Sequence, residues 1–239
     1  MRKISSFERF RLSRKAAACS LVIVLLMAVP AAADTLEFSI GGSGTLTRGS
    51  IVRLEVNNLP GVIIHDFQHQ VRGDGVARDF HLYFREGNFD DDIGGVPAHQ
   101  ESTAWSQISL VQNVSNDSIA LRSFTLNQNE GASGALTLGQ GVYSFFFHSL
   151  LAEGAEGSGN GVRTVTADPS LHGTIIASDP NLNLIAQASK AGSAFGTSTP
   201  NLDRVPGHVL INYTAIPEPS GALLMFFALP IAGLIRRRH

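Results

Sequence analysis

Between Asp34 and Ala215 apolar residues recur at every second position. Leu36, Phe38 and Ile40 alternate with polar neighbours, as do Val52, Leu54 and Val56, and then Phe80, Leu82 and Phe84. Ile108 with Leu110, Leu121 with Phe124, and Val209, Ile211 and Tyr213 extend the pattern. A period of two places one set of side chains on each face of a half-buried strand. The breaks fall in turn-forming clusters: Gly41-Gly42-Ser43-Gly44, Asn57 to Gly61, Gly73-Asp74-Gly75, Gly94 to Pro97 and Glu153 to Gly161. No stretch of this region predicts a capped helix longer than about three turns. Roughly ten short strands predict an all-β fold, an antiparallel Greek-key β-sandwich of jelly-roll-like form.

One strand departs from alternation. Ser144-Phe145-Phe146-Phe147-His148 is apolar on both faces, which predicts a central strand. It follows Leu138-Gly139-Gln140-Gly141-Val142-Tyr143, whose spacing predicts a tyrosine corner, with the phenol reaching back to the backbone.

Two other runs do not alternate at all, and they set the boundaries. Ala16 to Val29 is apolar apart from Ser20, follows a basic segment (Arg2, Lys3, Arg9, Arg11, Arg14, Lys15) and leads to Ala31-Ala32-Ala33. That order predicts a signal helix in residues 1–33, cut after Ala33, with Ala31 and Ala33 as the small residues of the site. Arg14-Lys15 is not a twin arginine, so the general secretory machinery is the expected route. Cys19 lies near the start of the apolar run rather than after it, which argues against a lipid-anchored cysteine. At the other end, residues 216–239 read Ile-Pro-Glu-Pro, then an uncharged segment, then Arg236-Arg237-Arg238. A helix over 220–235 spans roughly 24 Å, close to the ~30 Å hydrocarbon core, and the arginines predict a membrane stop. The expected organisation is 1–33 signal, 34–215 exported domain and 216–239 anchor, with a transmembrane helix at 220–235.

Pro217-Glu218-Pro219, the apolar segment and the terminal arginines, in that order, resemble the PEP-CTERM sorting signal of Gram-negative bacteria. The resemblance implies recognition of Pro217, Glu218 and Pro219 by an exosortase, a membrane-embedded protease-transpeptidase that removes the helix and basic tail. It also implies a transient stay at the inner membrane, then the cell surface or extracellular matrix, in association with exopolysaccharide. Leu229-Pro230-Ile231-Ala232-Gly233 lacks the threonine of a sortase motif and lies inside the apolar run, so it is set aside.

These boundaries change the charge. Six of the 18 Lys+Arg fall in the leader and three in the tail, leaving nine; only Glu8 and Glu218 of the 20 Asp+Glu fall outside, leaving 18. The domain is therefore near −9 rather than the −2 of the whole chain, with Lys190 its sole lysine. That sign excludes nucleic acid as the expected partner, because phosphate binding needs cations. The single cysteine lies in the leader, so disulfides and thiol chemistry are excluded from 34–215.

Candidate chemistry is sparse. Asn88-Phe89-Asp90-Asp91-Asp92-Ile93-Gly94 spaces oxygens as calcium loops do, making Asn88, Asp90 and Asp92 candidate Ca²⁺ ligands. Its glycine is displaced from the EF-hand position and the distal glutamate is missing, so a solvated acidic turn is the default. On a strand residues four apart point to the same face, so His65 and His69 are candidate metal ligands, with His81 following. Spacing fixes no further ligand for them, which leaves surface histidines as the plainer reading. Glu55, Glu86 and Glu101 are nominal carboxylates for glycoside chemistry, while Trp105 and Tyr83 could stack on a sugar but suit a core better. No serine-hydrolase, zincin, Walker or Ser-x-x-Lys signature occurs. The expectation is a non-catalytic matrix or surface component that binds polysaccharide, cations or other proteins, needing no cofactor. The alternative is a secreted hydrolase of extracellular polysaccharide.

Overall fold

The computed structural model describes residues 33–41, 44–72, 75–115, 118–128, 132–153, 159–167 and 169–218. The expected signal segment before Ala33, Pro219, the 220–235 span and Arg236 to Arg238 lie outside them. Among the described residues no helix is long and apolar enough to cross a membrane. In chain order the strands are β1 (Ala33–Ser39), β2 (Gly44–Thr47), β3 (Gly49–Val56), β4 (Val62–Val71), β5 (Arg78–Glu86) and β6 (Asp92–Ile93). Then come β7 (Val96–Pro97), β8 (Ser106–Val114), β9 (Ala120–Thr125), β10 (Asn127–Gln128), β11 (Ala132–Ser133) and β12 (Leu136–Leu138). The last six are β13 (Gly141–Leu151), β14 (Val162–Thr166), β15 (Ile175–Ser178), β16 (Leu182–Lys190), β17 (Arg204–Pro206) and β18 (His208–Ala215).

All pairings are antiparallel, and they build two main sheets. Sheet A runs β1-β18-β4-β14-β17, with β9 and β12 also on β4 and β2 on β14. Sheet B runs β15-β16-β3-β13-β5-β8. Their inner faces share one core, so the fold is an all-β sandwich. Sheet A contributes Leu36, Ile64, Phe67, Phe124 and Ile211, and sheet B contributes Leu54, Phe80, Leu82, Phe145, Phe147 and Leu184. Aromatic rings bind the layers at the centre: Phe67 lies 4.4 Å from Phe145 and 6.0 Å from Phe147, while Phe124 meets Phe147 edge-on at 5.2 Å. Each such pair adds about 0.5–1.5 kcal/mol beyond the burial itself.

β13 is central, flanked by β3 and β5, as its two apolar faces predict. Phe145 and Phe147 enter the core between the sheets, and Phe146 points outward into a second buried cluster with Ile51, Phe89, Trp105 and Ala188. The tyrosine corner also forms, with the Tyr143 hydroxyl donating to the Gly139 carbonyl at 3.0 Å.

Two bulges redirect side chains. On β4 the register slips at His65, so Val62 and Ile64 face inward before it and Phe67, His69 and Val71 after it. An unbroken strand would have turned Asp66, Gln68 and Gln70 into the core instead. On β16 the slip falls at Gln187: Ala186 opposes the inward Val52, but Ala188 and Lys190 oppose the outward Ile51 and Gly49. The alternation of Ile108 with Leu110 also fails, because the β5–β8 register shifts; Ile108 and Ser109 are buried while Leu110 is exposed.

Candidate functional site

The two outer faces of the sandwich differ in kind. On sheet A it is a polar ladder across β1, β18, β4 and β9. Thr35 donates to Asn212 at 3.0 Å, Gln68 donates to Asp66 at 3.0 Å, and Ser123 donates to the other oxygen of Asp66. Asn212 reaches the same carboxylate at 3.4 Å. Beside this row His208 meets Glu37 at 2.7 Å, and Arg163 donates to Gln70 at 2.7 Å. The bulge at His65 presents Asp66, Gln68 and Gln70 outward, and their bonds to one another and to groups on the neighbouring strands fix their directions.

The outer face of sheet B is apolar and covered. Segment 87–105, which carries β6, β7 and two short 3₁₀ turns, lays Phe89 and Trp105 over Ile51 and Phe146, and segment 191–200 adds Ala194 and Phe195. Ser144, outward on β13, donates to the Gly87 carbonyl at 2.8 Å and pins the start of the cover. Gly87 has φ +89°, and a Cβ there would lie 2.4 Å from Asp91, so glycine is required. Arg85 then holds the bend: it donates to Asp91 at 3.2 Å and to the Asn88 carbonyl, and lies 5.9 Å over the Trp105 ring. Trp105 is 8% exposed and its indole donates to the Ala98 carbonyl at 2.8 Å. It is therefore a core residue of the cover, not a free stacking surface. Tyr83 is half-buried and meets Phe195 edge-on at 5.0 Å.

Beneath and within the same cover lie three groups that alternation does not reveal. Lys190 is fully buried, and its ammonium donates to the backbone carbonyls of His99 at 2.6 Å and Gly196 at 2.9 Å. Among the described residues it has no carboxylate partner, and burial lowers its pKa to about 8. His148 is fully buried, bonded through Nε2 to the Gly192 carbonyl at 3.3 Å, with its Nδ1 unpartnered. Burial holds its pKa down to about 4. His99 is pushed in the same direction by burial and then by Lys190, and its Nδ1 is also unpartnered. One signal was available in the sequence: the domain's sole lysine ends an otherwise apolar and small-residue run.

The candidate calcium residues are drawn apart by other bonds. The Asn88 amide oxygen accepts from Arg53 at 3.1 Å, and the Asp92 carboxylate accepts from the Gly95 amide at 2.5 Å. Asp90 is exposed, and Asp91 instead is the residue that closes the turn, accepting from the Asn88 amide at 2.8 Å. Among the described residues no three of His, Cys, Asp and Glu are grouped to hold a metal ion. The bulge also separates the histidines. His65 is exposed and bonded to Thr214, whereas His69 lies in the inter-sheet core 4.6 Å from Phe147, its pKa held to about 4 by burial. His81, on sheet B, bonds Gln107 at 3.0 Å. Of the nominal carboxylates, Glu55 is engaged by Arg53 at 3.1 Å, Glu101 folds onto Thr103, and Glu86 ends β5 beside Tyr143.

Of the expected processing residues, the described ones, Ala33, Pro217 and Glu218, lie at one end of the sandwich. Ala33 opens β1 and pairs with Thr214, near the end of β18. The last backbone tie of the described chain is Ile216 N–H to the Gly61 carbonyl at 2.9 Å, with Asn58 donating to the Ile216 carbonyl at 3.1 Å. Pro217 and Glu218 follow at once and are exposed.

No family model and no curated protein matches this chain. Two solved structures of infectious bursal disease virus are similar to it at low level. The Gx strain shares 7% identity, with 79% of this chain and 35% of that chain covered and a TM-score of 0.23. The Gt strain shares 10% identity, with 80% and 41% covered and a TM-score of 0.18. The chain thus spans well under half the length of either.

Proposed function

We propose that this chain is an exported protein of the cell surface or extracellular matrix, a non-catalytic structural or binding component associated with exopolysaccharide. In this reading residues 1–33 are a signal peptide, and the Pro217-Glu218-Pro219 segment is read by an exosortase. The helix over 220–235 with Arg236 to Arg238 holds the precursor at the inner membrane until then. The sandwich is wound as a Greek key of jelly-roll-like form. The observation that carries the reading is the junction at Ile216. A protease needs an extended, unpaired backbone, and among the described residues the last tie to the sandwich is at Ile216, the residue before Pro217. The pairing of Ala33 with Thr214 supports it further, since a leader and an anchor leaving one end suit a domain resting on one membrane.

Processing in an exporting host tests the proposal. Glu218→Ala is expected to leave a membrane-bound full-length form, separable on a gel from the trimmed product of the unmodified chain. Identical trimming of both chains would remove the sorting assignment.

A further inference from the structure

The outer face of sheet B carries a row of basic groups that export and sorting do not use. Register sets Lys190, Gly49, His148 and His81 side by side on β16, β3, β13 and β5. Gly49 keeps that row open: a Cβ there would lie 2.3 Å from the Phe146 ring. From this row three side-chain bonds reach into the cover. Lys190 bridges the carbonyls of His99 and Gly196, one in each covering segment, and His148 holds Gly192. We propose that segments 87–105 and 191–200 form an acid-released cap, in which proton uptake by His148 beside the Lys190 ammonium drives the cover off sheet B and bares its aromatic face.

Burial and then the charges facing His148 set this direction. His81 on β5, Arg48 between β2 and β3, and Lys190 on β16 all disfavour its protonated form. From the cap side comes His99, itself opposed by Lys190; among the described residues the carboxylate acting there is Asp90, and it acts on His99. Arg85 is already paired with Asp91. A protonated His148 would also carry a buried Nδ1–H for which the described residues offer no acceptor. The neutral ring is therefore the closed state, and release sets in as the pH falls from about 6.5 toward the value of about 4 at which the buried ring titrates. The cap yields before the sandwich does, because local opening breaks only its own contacts.

Trp105 is the chain's sole tryptophan and sits in the cap. In the full chain held in mild detergent, acidification from about pH 7 to about pH 4.5 should red-shift its emission and raise acrylamide quenching severalfold, with the far-ultraviolet strand signal retained. In His148→Gln the amide still donates to Gly192 but takes up no proton, so the emission change should vanish or move to lower pH. Trp105 exposure that tracks loss of strand signal at every pH overturns the proposal, as does an unaltered emission midpoint in the variant. Should the variant misfold at neutral pH, hydrogen exchange in the unmodified chain decides. Indole exchange at Trp105 should outpace the β13 amides once the pH is lowered, and equal protection at both overturns the proposal.

Discussion

The outer faces of sheets A and B begin from similar strands and end as opposites. Sheet A carries Thr35, Asn212, Asp66, Gln68 and Ser123, which satisfy one another and need no cover. Sheet B carries Ile51, Phe146 and Ala188, which water would penalise, and two segments fold over them. Polarity cuts the other way beneath that cover: Lys190 and His148 are buried because the cap is there, and the cap is held because they are. An open polar face tolerates change one residue at a time, whereas a covered face couples its residues to one another.

The largest expected effect lies where the two faces share material, in the core. Phe147→Ala removes a ring packed against Phe67, His69 and Phe124 and should cost roughly 3–5 kcal/mol in urea unfolding. Phe195→Ala, in the cap, should cost only about 1 kcal/mol by the same measurement while making Trp105 far more accessible to quencher. Equal costs would mean that cap and core unfold as one unit.

Acid acts on both regions. His69 and His148 titrate near 4 when folded, against about 6.5 when unfolded, so the unfolded chain binds more protons between those values. Their contribution is fully present above about pH 6.5 and is lost as the pH falls toward 4, about 3 kcal/mol for each ring. Urea midpoints at the two ends of that window should differ accordingly, and His69→Gln should flatten the dependence of the global transition without moving the Trp105 signal. The smallest effect belongs to sheet A. Gln68→Ala removes one donor from a solvated ladder and should change stability by about 0.5 kcal/mol or less. A loss of several times that would show the polar face to be as coupled as the covered one.

Much of this architecture was legible in the residues. The triple phenylalanine of β13 needs apolar surroundings on both sides, and only a central strand beneath a cover supplies them. Tyr143 and Gly139 stand at the one spacing that lets the phenol reach back. What alternation cannot carry is a change of phase. One extra residue at His65 reverses every later side chain of β4, and one at Gln187 does the same to Lys190. Both depend on the neighbouring strand, which is more than a hundred residues away in sequence, so no local window contains the signal. For the same reason His65 and His69 fell on opposite faces, and the burial of Lys190 had no trace in the local alternation.

The pairing of β1 with β18 sets how the domain answers mechanical load. Whatever is joined beyond Ile216 pulls along β18, which is held by seven cross-strand pairs to β1 on one side and seven to β4 on the other. Tension from that end against a grip elsewhere on the sandwich shears both ladders at once, so their bonds share the force. Tension on Ala33 against Ile216 instead opens the β1–β18 ladder from its end, pair by pair. The domain is thus strong when tugged by its tail and weak when its two ends are drawn apart.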